Sequence, residues 1–229
     1  DSRTYHFIST YKDNPFLEQT IIDEIESLEH KNRVLWTVYG LGLQAMAEGL
    51  VFPEFEIVDE FPVNAKQVAA GLDFGYSSDP TAIVKCGILD GGLYLDEQCY
   101  RTHMLTSEII KELKKLGLFV YADSADPRLI QEIANAGIII FPADKYKGSV
   151  MGGLFKMMEY KLCVTKRSVN YIRELKNYVY EQNKDGKFIN QPIDAYNHLI
   201  DGTRYYTIGK LLGKVLTSKQ YSKEDLGIY

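Results

Sequence analysis

Cysteine is scarce in this chain of 229 residues: three, at positions 86, 99 and 163. So few and so scattered, they build neither a disulfide framework nor a Cys-based metal motif, and they suit a reducing compartment. Long apolar runs are lacking too. None approaches a membrane span, and no secretory leader pattern opens the chain. Positive charge is not in excess: the net charge of −5 is unlike that of a generic nucleic-acid binder. The phosphate loop G-x-x-x-x-G-K-[ST] is absent, which excludes ATP hydrolysis by that device. An initiator Met is also missing ahead of Asp1-Ser2-Arg3, so the chain is expected to be a fragment of something longer.

What is present is an ordinary globular composition, 45% hydrophobic and 25% charged, enough for one domain with an appendage. The charge is unevenly spread. Residues 1–62 hold 4 Lys/Arg against 12 Asp/Glu; residues 145–187 hold 10 against 4. Tyr146, Tyr160, Tyr171, Tyr178 and Tyr180 sit inside the basic stretch. A basic, aromatic-bearing segment in an acidic protein is either a polyanion surface or a solvated face with its tyrosines packed inward.

Element signals follow in order. Asn14-Pro15 reads as a helix start, followed by Leu17, Ile21, Ile25 and Leu28 at helical spacing. A strand is expected over 33–39. Residues 1–66 are assigned to a linker or remnant joining an absent domain, 67–209 to the main domain and 210–229 to a Lys-rich tail. The main domain begins with an apolar strand ending Gly71-Leu72-Asp73-Phe74-Gly75, a turn at Ser77-Ser78-Asp79-Pro80 and a strand over 81–89. A hairpin at Asp90-Gly91-Gly92 leads to a third strand over 93–98. Then come a helix capped by Thr106 or Ser107 and ending at Leu116, a strand over 118–122, a helix from Pro127 and a strand over 138–141. A helix over 149–160, a short strand over 162–164 and a helix near 169–176 follow. The turn Lys184-Asp185-Gly186-Lys187 makes a polar hairpin, and a last helix is expected from Pro192 to Ile208. This order predicts an α/β fold: a mixed sheet built of an antiparallel three-strand meander plus parallel strands reached by helical crossovers.

A carboxylate at Asp73, inside an apolar strand, is costly unless it is paired or binds a cation. It caps a turn, meets a nearby Arg or Lys, or ligates a metal. Asp123 ends the 118–122 strand, the end at which α/β sheets place ligands, unless it only caps the next helix. On a helix starting at Pro192, Asp194, Asn197, His198 and Asp201 share one face. His198 and Asp201 are one turn apart and can serve one ion; Asp194 and Asp201 are two turns apart and cannot. Clustered carboxylates repel unless a cation neutralises them, and oxygen-rich sites select hard ions such as Mg²⁺ or Mn²⁺. Two such ions can activate water against a phosphodiester. Asp79 and Asp126, each before a Pro, read as turn residues.

These stretches, together with Asp79-Pro80-Thr81-Ala82, Ala122-Asp123-Ser124-Ala125-Asp126-Pro127, Lys147-Gly148-Ser149 and residues 192–205, resemble the C-terminal nuclease domain of phage terminase large subunits. They occur in family order over most of residues 67–206. The resemblance implies an RNase H-like fold and a two-metal endonuclease that cuts concatemeric double-stranded DNA during genome packaging. It implies Asp73, Asp123 and Asp201 as metal-binding catalytic acids, with His198 as an auxiliary ligand or proton handler. Two Mg²⁺ or Mn²⁺ ions are the implied cofactors. The hairpin at 184–187 is similar to the family's extra β-hairpin, and Lys145, Lys147, Lys184 and Lys187 are expected to contact DNA. The implied partners are an ATPase domain on the same polypeptide, the terminase small subunit and the portal or procapsid, in the host bacterial cytoplasm and without a membrane. With no phosphate loop here, the chain is expected to be the nuclease half alone.

Other classes fit less well. Asp73-Phe74-Gly75 matches the Mg²⁺ tripeptide of protein kinases, but no glycine-rich loop precedes it. An actin-like sugar kinase needs two such domains. A DNA-clamping or capsid-docking module without activity, and another RNase H-like nuclease of resolvase or integrase type, stay open as alternatives.

Overall fold

The computed structural model describes residues 9–31, 36, 40–42 and 49–212. The strand expected over 33–39 and the tail beyond 212 lie outside the described residues, apart from Trp36. Alternating small and β-branched residues make the central meander of β2 (Lys66–Asp73), β3 (Thr81–Leu89) and β4 (Gly92–Arg101). β2 and β3 are antiparallel, with Leu72 opposite Ile83 and Asp73 opposite Ala82. β3 and β4 pair from Thr81–Arg101 to Leu89–Gly92. All three strands are largely buried, as expected for the middle of a sheet covered on both faces.

The sheet grows outwards by crossovers. β5 (Val120–Ala122) lies parallel to β2, and β6 (Ile140–Pro142) parallel to β5. On the other side β7 (Lys161–Thr165) lies parallel to β4, and β1 (Glu56–Val58) parallel to β7. The resulting order is β1-β7-β4-β3-β2-β5-β6. β1 therefore joins the sheet from within the span 1–66, and Val51 and Phe52 are buried in the core beside it. β8 (Tyr180–Gln182) and β9 (Phe188–Pro192) form a separate antiparallel hairpin.

Helices cover both faces. α2 (Thr106–Leu116) and α3 (Pro127–Asn135) send Ile109, Leu113 and Ile133 against Ala70, Leu72 and Ile83. α4 (Ser149–Met158), α5 (Val169–Asn177) and α6 (His198–Tyr206) bring Leu154, Met157, Tyr171, Leu175, Leu199 and Ile200 against Ala69, Val84 and Leu95. The two faces take alternate residues of β2, which is the period of a strand. Each fully buried Leu or Ile contributes about 1.5–3 kcal/mol.

Three local expectations are corrected. The chain does not enter a helix at Asn14-Pro15: a 3₁₀ turn spans Tyr11–Asp13, and α1 (Gln19–Lys31) starts later. Thr10 closes that turn, its N–H donating to Asp13 Oδ2 at 2.7 Å. The cap of α2 is neither Thr106 nor Ser107. The position is Leu105, whose N–H donates to Glu108 Oε2 at 2.9 Å. The last helix begins at His198, six residues later than expected. Pro192 is still paired in β9 with Tyr180, the Ile193 N–H donates to Val179 O, and Tyr196 takes a left-handed φ of 57°. Asp194 and Asn197 therefore lie off the helix. They contact each other instead, Asn197 Nδ2 donating to Asp194 Oδ1 at 3.2 Å.

Candidate active site

Asp73 and Asp123 stand at the carboxyl ends of two adjacent parallel strands, β2 and β5. Backbone pairing continues one step past β5, the Asp123 N–H donating to Leu72 O. Asp201 comes from α6, which crosses β2 at very close range. A Cβ built on Gly71 would lie 2.0 Å from the carbonyl oxygen of Gly202, so β2 needs a bare backbone at Gly71, and a Cβ on Gly202 would sit tightly, 3.3 Å from Val84 Cγ1. That approach places the residue before Gly202 over the end of β2. Asp73, Asp79, Asp123, Asp194, His198 and Asp201 all line one cleft of about 610 Å³.

His198 is the hub on the helix side. Its Nδ1 lies 3.1 Å from Asp73 Oδ2, and its Nε2 lies 3.9 Å from Asp79 Oδ1. Burial pushes the Asp73 carboxyl up to about 6; Asp201 and Asp123 add to the rise, while His198 opposes it. The His198 imidazole is raised in turn, chiefly by its bond to Asp73. Asp123 and Asp201 each hold a cation. Lys145 Nζ lies 2.5 Å from Asp123 Oδ1, and Arg204 Nε donates to Asp201 Oδ1 at 2.9 Å. Asp123 does not cap the next helix. Asp126 does, accepting from the Arg128 and Leu129 N–H groups.

Two carboxylates outside the expected set hold this arrangement in place. Glu97 on β4 caps α5, with Oε2 accepting from the Asn170 and Tyr171 N–H groups. Glu174 on α5 then caps α6. Its Oε2 accepts from the Leu199 and Ile200 N–H groups at 2.8 and 3.1 Å, at the positive end of that helix dipole. Glu174 is fully buried, and its Oε1 makes no regular hydrogen bond. Burial pushes its carboxyl up to about 7. The orientation of His198 and Asp201 thus rests on contacts from β4 through α5. A clue lay in the pattern: Glu174 falls between Tyr171 and Leu175 on the inward face of a helix.

The structure brings Asp73, Asp123, Asp201 and His198 to one cleft. Among the described residues, no three His, Cys, Asp or Glu side chains converge closely enough to surround a single ion. The expected DNA contacts divide. Lys145 is engaged by Asp123, whereas Lys147, Lys184 and Lys187 are exposed, the last two on the β8–β9 turn. Asn183 Oδ1 shapes that turn by accepting from the Asp185 and Lys187 N–H groups. Another cleft, of about 690 Å³, lies between residues 51–56 and 158–162. It is mostly apolar, and its Glu56 and Lys161 pair with each other at 2.5 Å. No helix of the described residues is long and apolar enough to cross a membrane.

Comparison with known proteins agrees with this architecture. Residues 73–208 match the family described as Terminase RNAseH like domain. The large terminase subunit of Bacillus phage SPP1 is 30% identical over 219 residues, covering 86% of this chain and 50% of that protein. The PBSX phage terminase large subunit of Bacillus subtilis strain 168 is 26% identical over 216 residues, covering 88% of this chain and 50% of that protein. The chain thus spans about half the length of these relatives. The crystal structure of the large-terminase nuclease domain from bacteriophage SPP1, with bound Mn, superposes with a TM-score of 0.60 at 27% identity, over 68% of this chain and 96% of that one. With the family match spanning more than half of its residues, the chain belongs to the terminase RNase H-like domain family.

Proposed function

We propose that this chain is the nuclease part of a terminase large subunit, a metal-dependent endonuclease on double-stranded DNA. The observation behind this reading is the convergence of Asp73, Asp123 and Asp201, from three separate elements, on one cleft with His198 bonded to Asp73. The donor set suits Mg²⁺ or Mn²⁺. It is all oxygen but for one imidazole, and the carboxyl held up to about 6 by burial and like charge is what a cation would relieve. The SPP1 relative carries Mn in its nuclease domain. Bound by Asp73, Asp123 and Asp201, with His198 beside them, two divalent ions would neutralise the acids, polarise the scissile phosphate and lower the pKa of attacking water.

The residues of this chain do the rest. Lys145 and Arg204 pair with Asp123 and Asp201 before metal binds, Lys145 as a competitor for the ion and Arg204 as the buried partner that orients Asp201. Asp73 holds the His198 ring at Nδ1, which leaves Nε2 to take up or return a proton at the cleft. Lys147, Lys184 and Lys187 hold the DNA backbone, which positions the duplex without reading its sequence. The broader context follows from this reading. The cut DNA is concatemeric phage DNA in the host bacterial cytoplasm. The partners are an ATPase domain on the same polypeptide, the small subunit and the portal or procapsid.

Cleavage of supercoiled plasmid with Mn²⁺, with Mg²⁺ and with EDTA tests the assignment. Metal-dependent nicking and linearisation are expected, falling by about 10²-fold or more in Asp73→Asn. Equal cleavage by folded Asp73→Asn would refute it.

A further inference from the structure

The acidic cleft continues into a basic one. A neighbouring groove of about 510 Å³ is lined by Ser78, Pro80, Tyr100, Arg101, Thr102 and Arg173. Ser78, Pro80, Tyr100 and Arg173 line both, so the two form one trough with carboxylates at one end and guanidinium groups at the other. A polyanion entering the carboxylate end is repelled unless a cation lies along its path.

Arg173 is placed to be that cation. Among the described residues it is the only Lys or Arg lining the acidic cleft, and it is exposed. The cations nearest the acids are already committed, Lys145 to Asp123 and Arg204 to Asp201. Arg173 has no carboxylate within ion-pair distance among the described residues. Its guanidinium instead lies 5.9 Å from the centre of the Tyr100 ring. That ring meets His198 edge-on at 6.3 Å, so Arg173 is tied through one aromatic group to the catalytic histidine. The backbone of Arg173 is fixed by α5, which Glu97 caps. Arg101 stands further along the trough. It is loosely held, 4.0 Å from Glu108 and 3.9 Å from Glu112, with half its side chain exposed. Exposed pairs of that kind are worth little and exchange readily for another anion. A guanidinium is suited to this task, because its planar fork meets two phosphate oxygens at once.

We propose that the Arg173 end of this trough, with Arg101 behind it, seats a backbone phosphate of the DNA next to the phosphate that is cut. The assignment rests on the nuclease reading above and adds a substrate-positioning site outside the expected lysines.

The test uses the whole chain with a short labelled duplex, in EDTA, across salt from about 50 to 200 mM. Loss of one phosphate contact lowers the salt slope of log K by about 0.9. Arg173→Ala should show that drop, together with about tenfold weaker binding or more. Arg173→Lys should keep the slope, because the charge remains, yet recover only part of the affinity, because the fork is gone. In plasmid cleavage Arg173→Ala should raise KM with kcat little changed, since the contact is made equally before and during reaction. Arg101→Ala should give a smaller effect of the same kind, as Glu108 and Glu112 already share its charge. An unchanged slope and KM in Arg173→Ala, with the native chain binding and cutting normally, overturns the phosphate site alone. A fall in kcat and Tm together at constant slope also overturns it, by making Arg173 a structural residue. A native chain that neither binds nor cuts DNA overturns the nuclease reading and this site with it.

Discussion

Replacing Glu174 with Gln should make the protein more stable at neutral pH, although it removes the charge from a helix cap. The carboxyl titrates at about 7 in the fold against an ordinary 4.5, because burial outweighs the Ile200 and Leu199 N–H groups, His198 and Tyr100, which favour its charge. Below pH 4.5 the group is protonated in both states and favours neither. Between about 4.5 and 7 only the unfolded chain gives up its proton, so stability falls as pH rises. Above 7 the loss is complete, at about 3 kcal/mol. Gln resembles the protonated form: it keeps one oxygen to accept from the two N–H groups and cannot ionise. The native chain and Glu174→Gln should therefore be of similar stability near pH 4.5 and diverge by about 3 kcal/mol by pH 8. Urea unfolding at the two pH values reads this as a midpoint difference on the order of 1 M. Asp73 titrates in both proteins and largely cancels, whereas the Glu174 charge supports a protonated His198, so losing it in Glu174→Gln narrows the gap wherever His198 is charged. Glu174→Ala is the control. It strands two buried donors, each costing about 1–3 kcal/mol, and should destabilise at every pH. If Glu174→Gln fell below the native chain by the same margin at pH 4.5 and at pH 8, the buried-charge argument would be wrong.

Other outcomes follow from the same geometry. Gly71→Ala should lower the melting temperature and abolish cleavage together, because its methyl group would sit 2.0 Å from Gly202 O and push α6 off β2; a stable, active variant would refute the close-approach account. Arg204→Met should destabilise by about 3–5 kcal/mol in chemical denaturation, since it leaves Asp201 without its buried partner. Lys145→Ala should lower the Mn²⁺ concentration needed for half-maximal cleavage, because Lys145 competes for Asp123; an unchanged metal dependence would separate the two.

Much of this molecule is legible in its sequence because the signals are local. The limits of β3, the Asp90-Gly91-Gly92 hairpin, the start of α3 at Pro127 and the parallel placement of β5 and β6 follow from strand period, turn chemistry and crossover length. Asp73 and Asp123 could be singled out because a carboxylate at the end of an apolar strand has few inexpensive explanations. The helix carrying His198 and Asp201 starts six residues later than its pattern suggests. Nothing in residues 192–197 alone announces that Pro192 stays paired to Tyr180. Glu174 and Arg173 are adjacent on α5, yet one is buried under α6 and the other borders the cleft, and helical spacing hints only at the first. By itself, then, the sequence determined the elements, their order and the acids at their ends, through preferences set within a few residues. Only the tertiary structure decided which acids share a cleft, which cations restrain them and which helix face turns inward. Those outcomes depend on backbone contact between Gly71 and Gly202 and on a buried carboxylate 25 residues from the amides it holds.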